Sequence, residues 1–192
     1  MNKVLLAVLA ALFCGNAHAA TYNLNRTVGA GTVIGLIETD GTIGFLSDTN
    51  IVSWEFTLAA PNLKNGPTDM ISSATGGELF ISADIFSATA TNLFFNFDEP
   101  SFAGVFFRGG PIGTNFWCLA GGASCSSGPT SSESIGVLSG TPDGFATEAQ
   151  NVARSGNLAV ATVVPLPASL PFLAAGLAVL GMFGLRRRSR AV

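Results

Sequence analysis

Cys118 and Cys125 are separated by LAGGAS, a run of small or apolar residues that lets two thiols meet across a tight bend. Thiols so placed can form a disulfide, join a metal site or cycle between redox states. A redox pair uses C-x-x-C at a helix start, where the thiol pKa is lowered, and a structural zinc site needs four ligands. Neither pattern surrounds these two, so in an oxidising compartment the pair reads as a disulfide. The chain's one histidine is His18, in the leader described below. Without it, Ser-His-Asp and Cys-His nucleophilic catalysis lack their base.

Carboxylates are the remaining reactive groups. Asp98 and Glu99 are adjacent, and Asp40, Asp48 and Asp69 sit among turn-forming residues. Two carboxyls facing each other across a sugar would make a glycosidase, whereas acids in turns and on solvated faces serve hydrogen bonding. Asp40-Gly41 and Asp143-Gly144 are turn dipeptides, and neither lies in a D-x-D-x-D-G loop or a Gly-Asp nonapeptide repeat of the kind that holds calcium. No metal and no cofactor is expected.

The leader MNKVLLAVLAALFCGNAHAA sets the compartment. Lys3 precedes an apolar run from Val4 to Phe13, and Ala17-His18-Ala19 fits the small-x-small rule for cleavage before Ala20, so residues 1–19 read as a secretory signal peptide. Processing there removes His18 and Cys14 and leaves Cys118 and Cys125 as an even pair. Residues 20–164 carry all twelve acids against Arg26, Lys64, Arg108 and Arg154, a formal charge of −8. Nucleic acid is excluded as a partner on that balance, because phosphate binding needs a basic footprint.

The elements that must position these groups are strands. VSWEFTLA alternates at period two, with Trp54, Phe56 and Leu58 on one face and Ser53, Glu55 and Thr57 on the other. Similar runs occur at TVIGLIET, GELFISA, TNLFFNFD, AGVFFRG, TNFWCLA, SIGVLSG and NLAVATVV, punctuated by TDGT, NGPTD, DEPS, GGPIG and TPDG. The pattern predicts an all-β, antiparallel sandwich-like ectodomain over residues 20–160, with Trp54, Phe56, Phe95 and Phe97 inside. FATEAQNVARSG is expected to form one short helix ended by Gly156. The Gly/Ser-rich stretch from Gly121 to Ser134 is expected to be a surface loop tied at its start by the disulfide.

Residues 161–192 differ in kind. Ala168 to Leu185 carry no charge, and at 1.5 Å per residue they span about 27 Å as a helix, enough for one transmembrane span. Arg186, Arg187, Arg188 and Arg190 form a stop-transfer cluster that the positive-inside rule leaves in the cytoplasm. Before the span, Pro165 and Pro167 hold their neighbours extended, presenting an accessible peptide at the membrane surface. Val164-Pro165-Leu166-Pro167-Ala168, one apolar stretch and an arginine cluster, in that order, resemble the VPLPA-CTERM sorting signal, a variant of PEP-CTERM. The segment TDGTIGFLSDTNIVSWEFTLA also resembles the opening of PEP-CTERM ectodomains.

The resemblance implies an exported Gram-negative bacterial protein. It would be anchored in the inner membrane with its body outside, recognised by an exosortase-type membrane peptidase, and delivered to the cell surface or an exopolysaccharide matrix. LPASL at Leu166 to Leu170 shares Leu-Pro with the LPxTG sortase motif, but Ser169 and Leu170 replace its Thr-Gly. The body is expected to be noncatalytic, structural or adhesive, with exopolysaccharide as an expected contact. The competing reading is a secreted carboxylate-dependent enzyme acting on polysaccharide.

Overall fold

Alternation at period two builds the elements that the sequence pattern predicts. The computed structural model describes residues 19–99, 103–111, 113–122, 125, 129–138 and 146–165. Among these, the strands are β1 (Ala20–Val28), β2 (Gly31–Thr39), β3 (Gly44–Phe45), β4 (Ile51–Ala59), β5 (Thr68–Ser72), β6 (Glu78–Ser82), β7 (Phe86–Ala88), β8 (Asn92–Asn96), β9 (Ala103–Arg108), β10 (Asn115–Gly121), β11 (Ser132–Leu138), β12 (Ala146–Ala153) and β13 (Asn157–Val163). The described residues are all-β, in two antiparallel sheets. One has eight strands in the order β3-β7-β8-β13-β1-β2-β4-β5, the other five in the order β12-β11-β10-β9-β6.

One hydrophobic cluster joins the inner faces of both sheets. Across the interface Trp54 and Phe56 of β4 meet Phe107 of β9, and Phe56 also meets Trp117 of β10, edge-to-face with ring centroids 4.9 to 5.3 Å apart. That geometry places the positive ring edge on the negative ring face. Trp54, Phe56, Phe95 and Phe97 are all buried, as their alternation requires. Truncating any one of these rings to alanine removes about 3 to 5 kcal/mol of burial and packing.

Two glycines are demanded locally. Gly29 starts the two-residue turn that follows Val28↔Gly31 pairing, at φ +59°, a conformation that suits the twist of a tight hairpin. Gly77 lies where a Cβ would come 2.6 Å from the Trp54 ring.

Three expectations are corrected. FATEAQNVARSG does not form a helix: residues 146–153 are β12, paired with β11 from Ser132↔Ala153 to Leu138↔Ala146. The free edge of β11 captures this segment, and tertiary pairing outweighs the weak helical pattern. Ser132, Glu133 and Ser134 belong to β11 and are fully buried, so the expected loop ends before them. The body also extends past residue 160, because β13 continues to Val163.

Strand β1 has no counterpart among the predicted runs. Tyr22, Leu24 and Val28 face inward, but Arg26 shares their face and breaks the apolar alternation. The apolar span expected over 168–185 lies outside the described residues, as do Arg186, Arg187, Arg188 and Arg190. Among the described residues no helix is long and apolar enough to cross a membrane.

Candidate functional site

The motif expected to direct sorting, Val164 to Ala168, begins directly after β13. β13 lies between β8 and β1, with Tyr22↔Val163 and Asn23↔Thr162 in register. The Val163 N–H donates to the Thr91 carbonyl and the Val164 N–H to the Thr21 carbonyl, each at 2.7 Å. Among the described residues Val164 is the last of this strand held to the sheet by a backbone bond, and Pro165, lacking an N–H, cannot donate the next one. β1 starts at Ala20, beside this point, so the expected mature N-terminus and the motif leave the same end of the same sheet. Leu166, Pro167 and Ala168 lie outside the described residues.

The five-stranded sheet carries chemistry on its outer face. Registration across β6, β9, β10 and β11 aligns Phe80, Phe106, Cys118 and Ser134 in one row, and Ser82, Gly104, Ala120 and Ser132 in the next. Cys118 and Cys125 are bonded, with Cα atoms 6.0 Å apart, which ties the stretch after β10 back onto this face. Phe116, Cys118, Ala120 and Leu138 form a second small core there, with Phe106 stacked on Phe116 at 4.9 Å. The hydroxyls of Ser132 and Ser134 are buried on this face without a hydrogen-bond partner among the described residues.

The disulfide closes a short loop, worth roughly 2 to 3 kcal/mol on the chain-entropy account. Mass spectrometry of the exported protein should find Cys118 and Cys125 alkylated only after reduction. Two thiols reacting without reductant would show the bond absent.

Beside that core the face opens into a groove of about 420 Å³ between edge strand β6 and β9. Phe80 is 60% exposed on one side, Gly104 and Phe106 form the floor, and Arg108 pairs with Glu78 at one end. At the other end the Ser82 Oγ accepts from the Gly104 N–H at 2.8 Å. A lone Gly or Arg in a strand gives no sequence signal for a groove; only the β6–β9 pairing, which is not sequential, brings these residues together.

Inside, Glu133 is the buried charge. Its carboxylate accepts from Arg26 Nε at 3.0 Å and Nη2 at 2.7 Å, from Arg154 Nε at 3.0 Å and from Trp117 Nε1 at 3.2 Å. Arg26 reaches on to the Ala159 carbonyl and Arg154 to the Thr27 carbonyl. The cluster ties β1 and β13 of one sheet to β10 and β11 of the other. Every strong donor near the carboxylate is used, so it is a structural clamp rather than a reactive acid.

Three of the acids noted in the sequence are engaged in hydrogen bonds, one local and two between segments. Asp48 accepts from the Thr49 N–H at 2.9 Å, Asp69 from the side chains of Asn65 and Asn115, and Asp98 from the Gly156 N–H at 2.7 Å. Asp143 lies outside the described residues. Among the described residues no group of three or more His, Cys, Asp or Glu side chains is placed to hold a metal ion.

Asp40 accepts from Asn50 Nδ2 and the Thr42 N–H, and these bonds, the Asn50 one foremost, hold its carboxyl below the ordinary value. A depressed carboxyl stabilises the fold above its unfolded pKa and loses that contribution as the pH falls through the lower folded value. Asn50→Ala should therefore move the Asp40 titration upward, read by carboxyl 13C NMR; an unmoved midpoint would dismiss the bond as its cause.

Comparison of the chain with protein-family models, with curated proteins and with solved structures finds no match.

Proposed function

We propose that the chain is an exported bacterial protein whose β-rich ectodomain is held outside the inner membrane by a transient C-terminal span. An exosortase-type membrane peptidase then processes it at Val164 to Ala168, and it passes to the cell surface or extracellular matrix. The observation that carries this reading is the order of parts in the sequence: the VPLPA motif, eighteen uncharged residues from Ala168 to Leu185, then Arg186, Arg187, Arg188 and Arg190. The position of the motif supports it, because a peptidase needs an extended, accessible substrate and Pro165, which has no N–H to donate, immediately follows the last residue bonded to the sheet among those described. The measurement that tests it is the intact mass of the mature protein in its native host. A C-terminus within or near the motif is expected, and a chain still ending at Val192 would leave an ordinary single-span membrane protein.

The ectodomain acts without catalysis, as a structural or adhesive module. The engagement of Asp40, Asp48, Asp69 and Asp98 in hydrogen bonds supports this over the carboxylate-dependent enzyme. Polysaccharide turnover by the purified protein, abolished by changing one acid, would reverse that preference.

A further inference from the structure

We infer that the groove on the outer face of β6 and β9 is a binding site for a short stretch of neutral saccharide. Its volume of about 420 Å³ falls within the range of roughly 300–1,000 Å³ typical of small-ligand sites. The chemistry of its walls selects among ligand classes.

Phe80 and Phe106 are directly paired across the two strands, so two rings share one row of the face. Phe80 is 60% exposed, an aromatic surface left in water on a strand that could have carried a polar residue at that outward position. Gly104 stands next to this row with no side chain. A Cβ there would meet only the Leu119 carbonyl, at 3.2 Å, so packing does not fill the space and the floor stays open for a ligand to approach the backbone. A pyranose ring offers a flat face of C–H bonds, whose slight positive charge suits the negative face of an aromatic ring.

The ends of the groove are polar. Glu78 and Arg108 stand as a cross-strand pair, both partly exposed, which puts an acceptor and a forked donor side by side. Vicinal hydroxyls, each both donor and acceptor, match that pair. The Ser82 hydroxyl accepts from the Gly104 N–H and donates to the Gly104 carbonyl only at a long 3.4 Å, a weak bond that a ligand oxygen can replace. An aromatic floor with donors and acceptors at its edges fits a molecule with apolar faces and a hydroxylated rim.

Other occupants fit less well. An acyl chain would press hydrocarbon against Glu78, Arg108 and Ser82 and strip their water without replacing its hydrogen bonds. A second copy meeting this face about a two-fold axis would bring one concavity onto another and leave both unfilled. A polyanion would approach a body of formal charge −8. A neutral saccharide meets none of these penalties.

The proposal rests on the noncatalytic reading of the ectodomain but not on the fate of its tail. The test is isothermal titration of the full-length chain, in a sugar-free zwitterionic detergent, with maltohexaose, cellohexaose and laminarihexaose, and with polygalacturonate, decanoate and an extended apolar peptide for comparison. At least one neutral hexaose should bind. Phe80→Ala should weaken that binding by about tenfold, a loss of about 1.4 kcal/mol, with an unchanged melting temperature. Phe80→Leu, which keeps the apolar bulk and removes the ring, should lose affinity in the same direction. Glu78→Gln combined with Arg108→Gln should weaken binding several-fold. Failure of every neutral hexaose to bind, binding indifferent to Phe80, or preference for the polyanion, the acyl chain or the peptide would overturn the proposal. A chain processed at its tail in the host yet binding no saccharide would refute this site and leave the sorting reading intact.

Discussion

Glu133→Gln is expected to lower the unfolding free energy by about 3 kcal/mol, and the melting temperature by about 10 °C, in thermal or denaturant unfolding of the full-length chain. The native carboxylate is fully buried and accepts from Arg26, Arg154 and Trp117. An amide of the same shape removes the negative charge and turns one acceptor into a donor facing donors. Arg26 and Arg154, both mostly buried, are then left as two like charges with no counter-ion between them. Removing one partner of a buried ion cluster costs more than the cluster contributes, because the surviving charges keep their desolvation penalty. A triple variant, Glu133→Leu with Arg26→Met and Arg154→Met, should therefore recover most of the loss. A Glu133→Gln protein within about 0.5 kcal/mol of the parent would remove the clamp from this account.

The same cluster shows where sequence reading stops. Period-two alternation in VSWEFTLA exposes the core face of β4 without help, because Trp54, Phe56 and Leu58 are apolar and their neighbours are not. The alternation of β1 and β11 is interrupted by the charges that clamp them: Arg26 faces inward among Tyr22, Leu24 and Val28, and Glu133 shares the inner face of its strand with Ile135. Each charge read singly argues for solvent. Opposite charges at inward positions of two strands are the signal that was available, and it becomes visible only once the strands are known to face each other. The disulfide was legible because two cysteines seven positions apart, outside any C-x-x-C or zinc pattern, have few alternatives. Strand β12 was not, because ATEAQNVA has no apolar stripe of its own and takes its conformation from the edge of β11. The groove was equally hidden: Phe80 and Phe106 lie on strands separated by β7 and β8, and their pairing follows from the order β10-β9-β6.

Changing Pro165 and Pro167 together to alanine should block C-terminal processing in the native host while leaving the protein in the membrane fraction. The expected product is a full-length chain, with the processed form reduced at least about tenfold by intact mass. The reason lies in the join between sheet and tail. Val164 is bonded to Thr21, and only Pro165, Leu166 and Pro167 separate it in sequence from the uncharged run that starts at Ala168. Prolines at these positions favour an extended connection, since each fixes its own φ and pushes its predecessor out of the helical region. On the proposed reading, alanines would let a helix formed by the apolar run spread backward, taking the proposed scissile region out of the extended form a peptidase binds. Replacing Arg186, Arg187, Arg188 and Arg190 by glutamine should act at the other end: each arginine opposes translocation by about 2.5 to 3.5 kcal/mol, and their loss should release unprocessed chain from the membrane. The two variants thus separate recognition from retention. Normal processing of the double proline variant would show that the extended join is not what the peptidase reads.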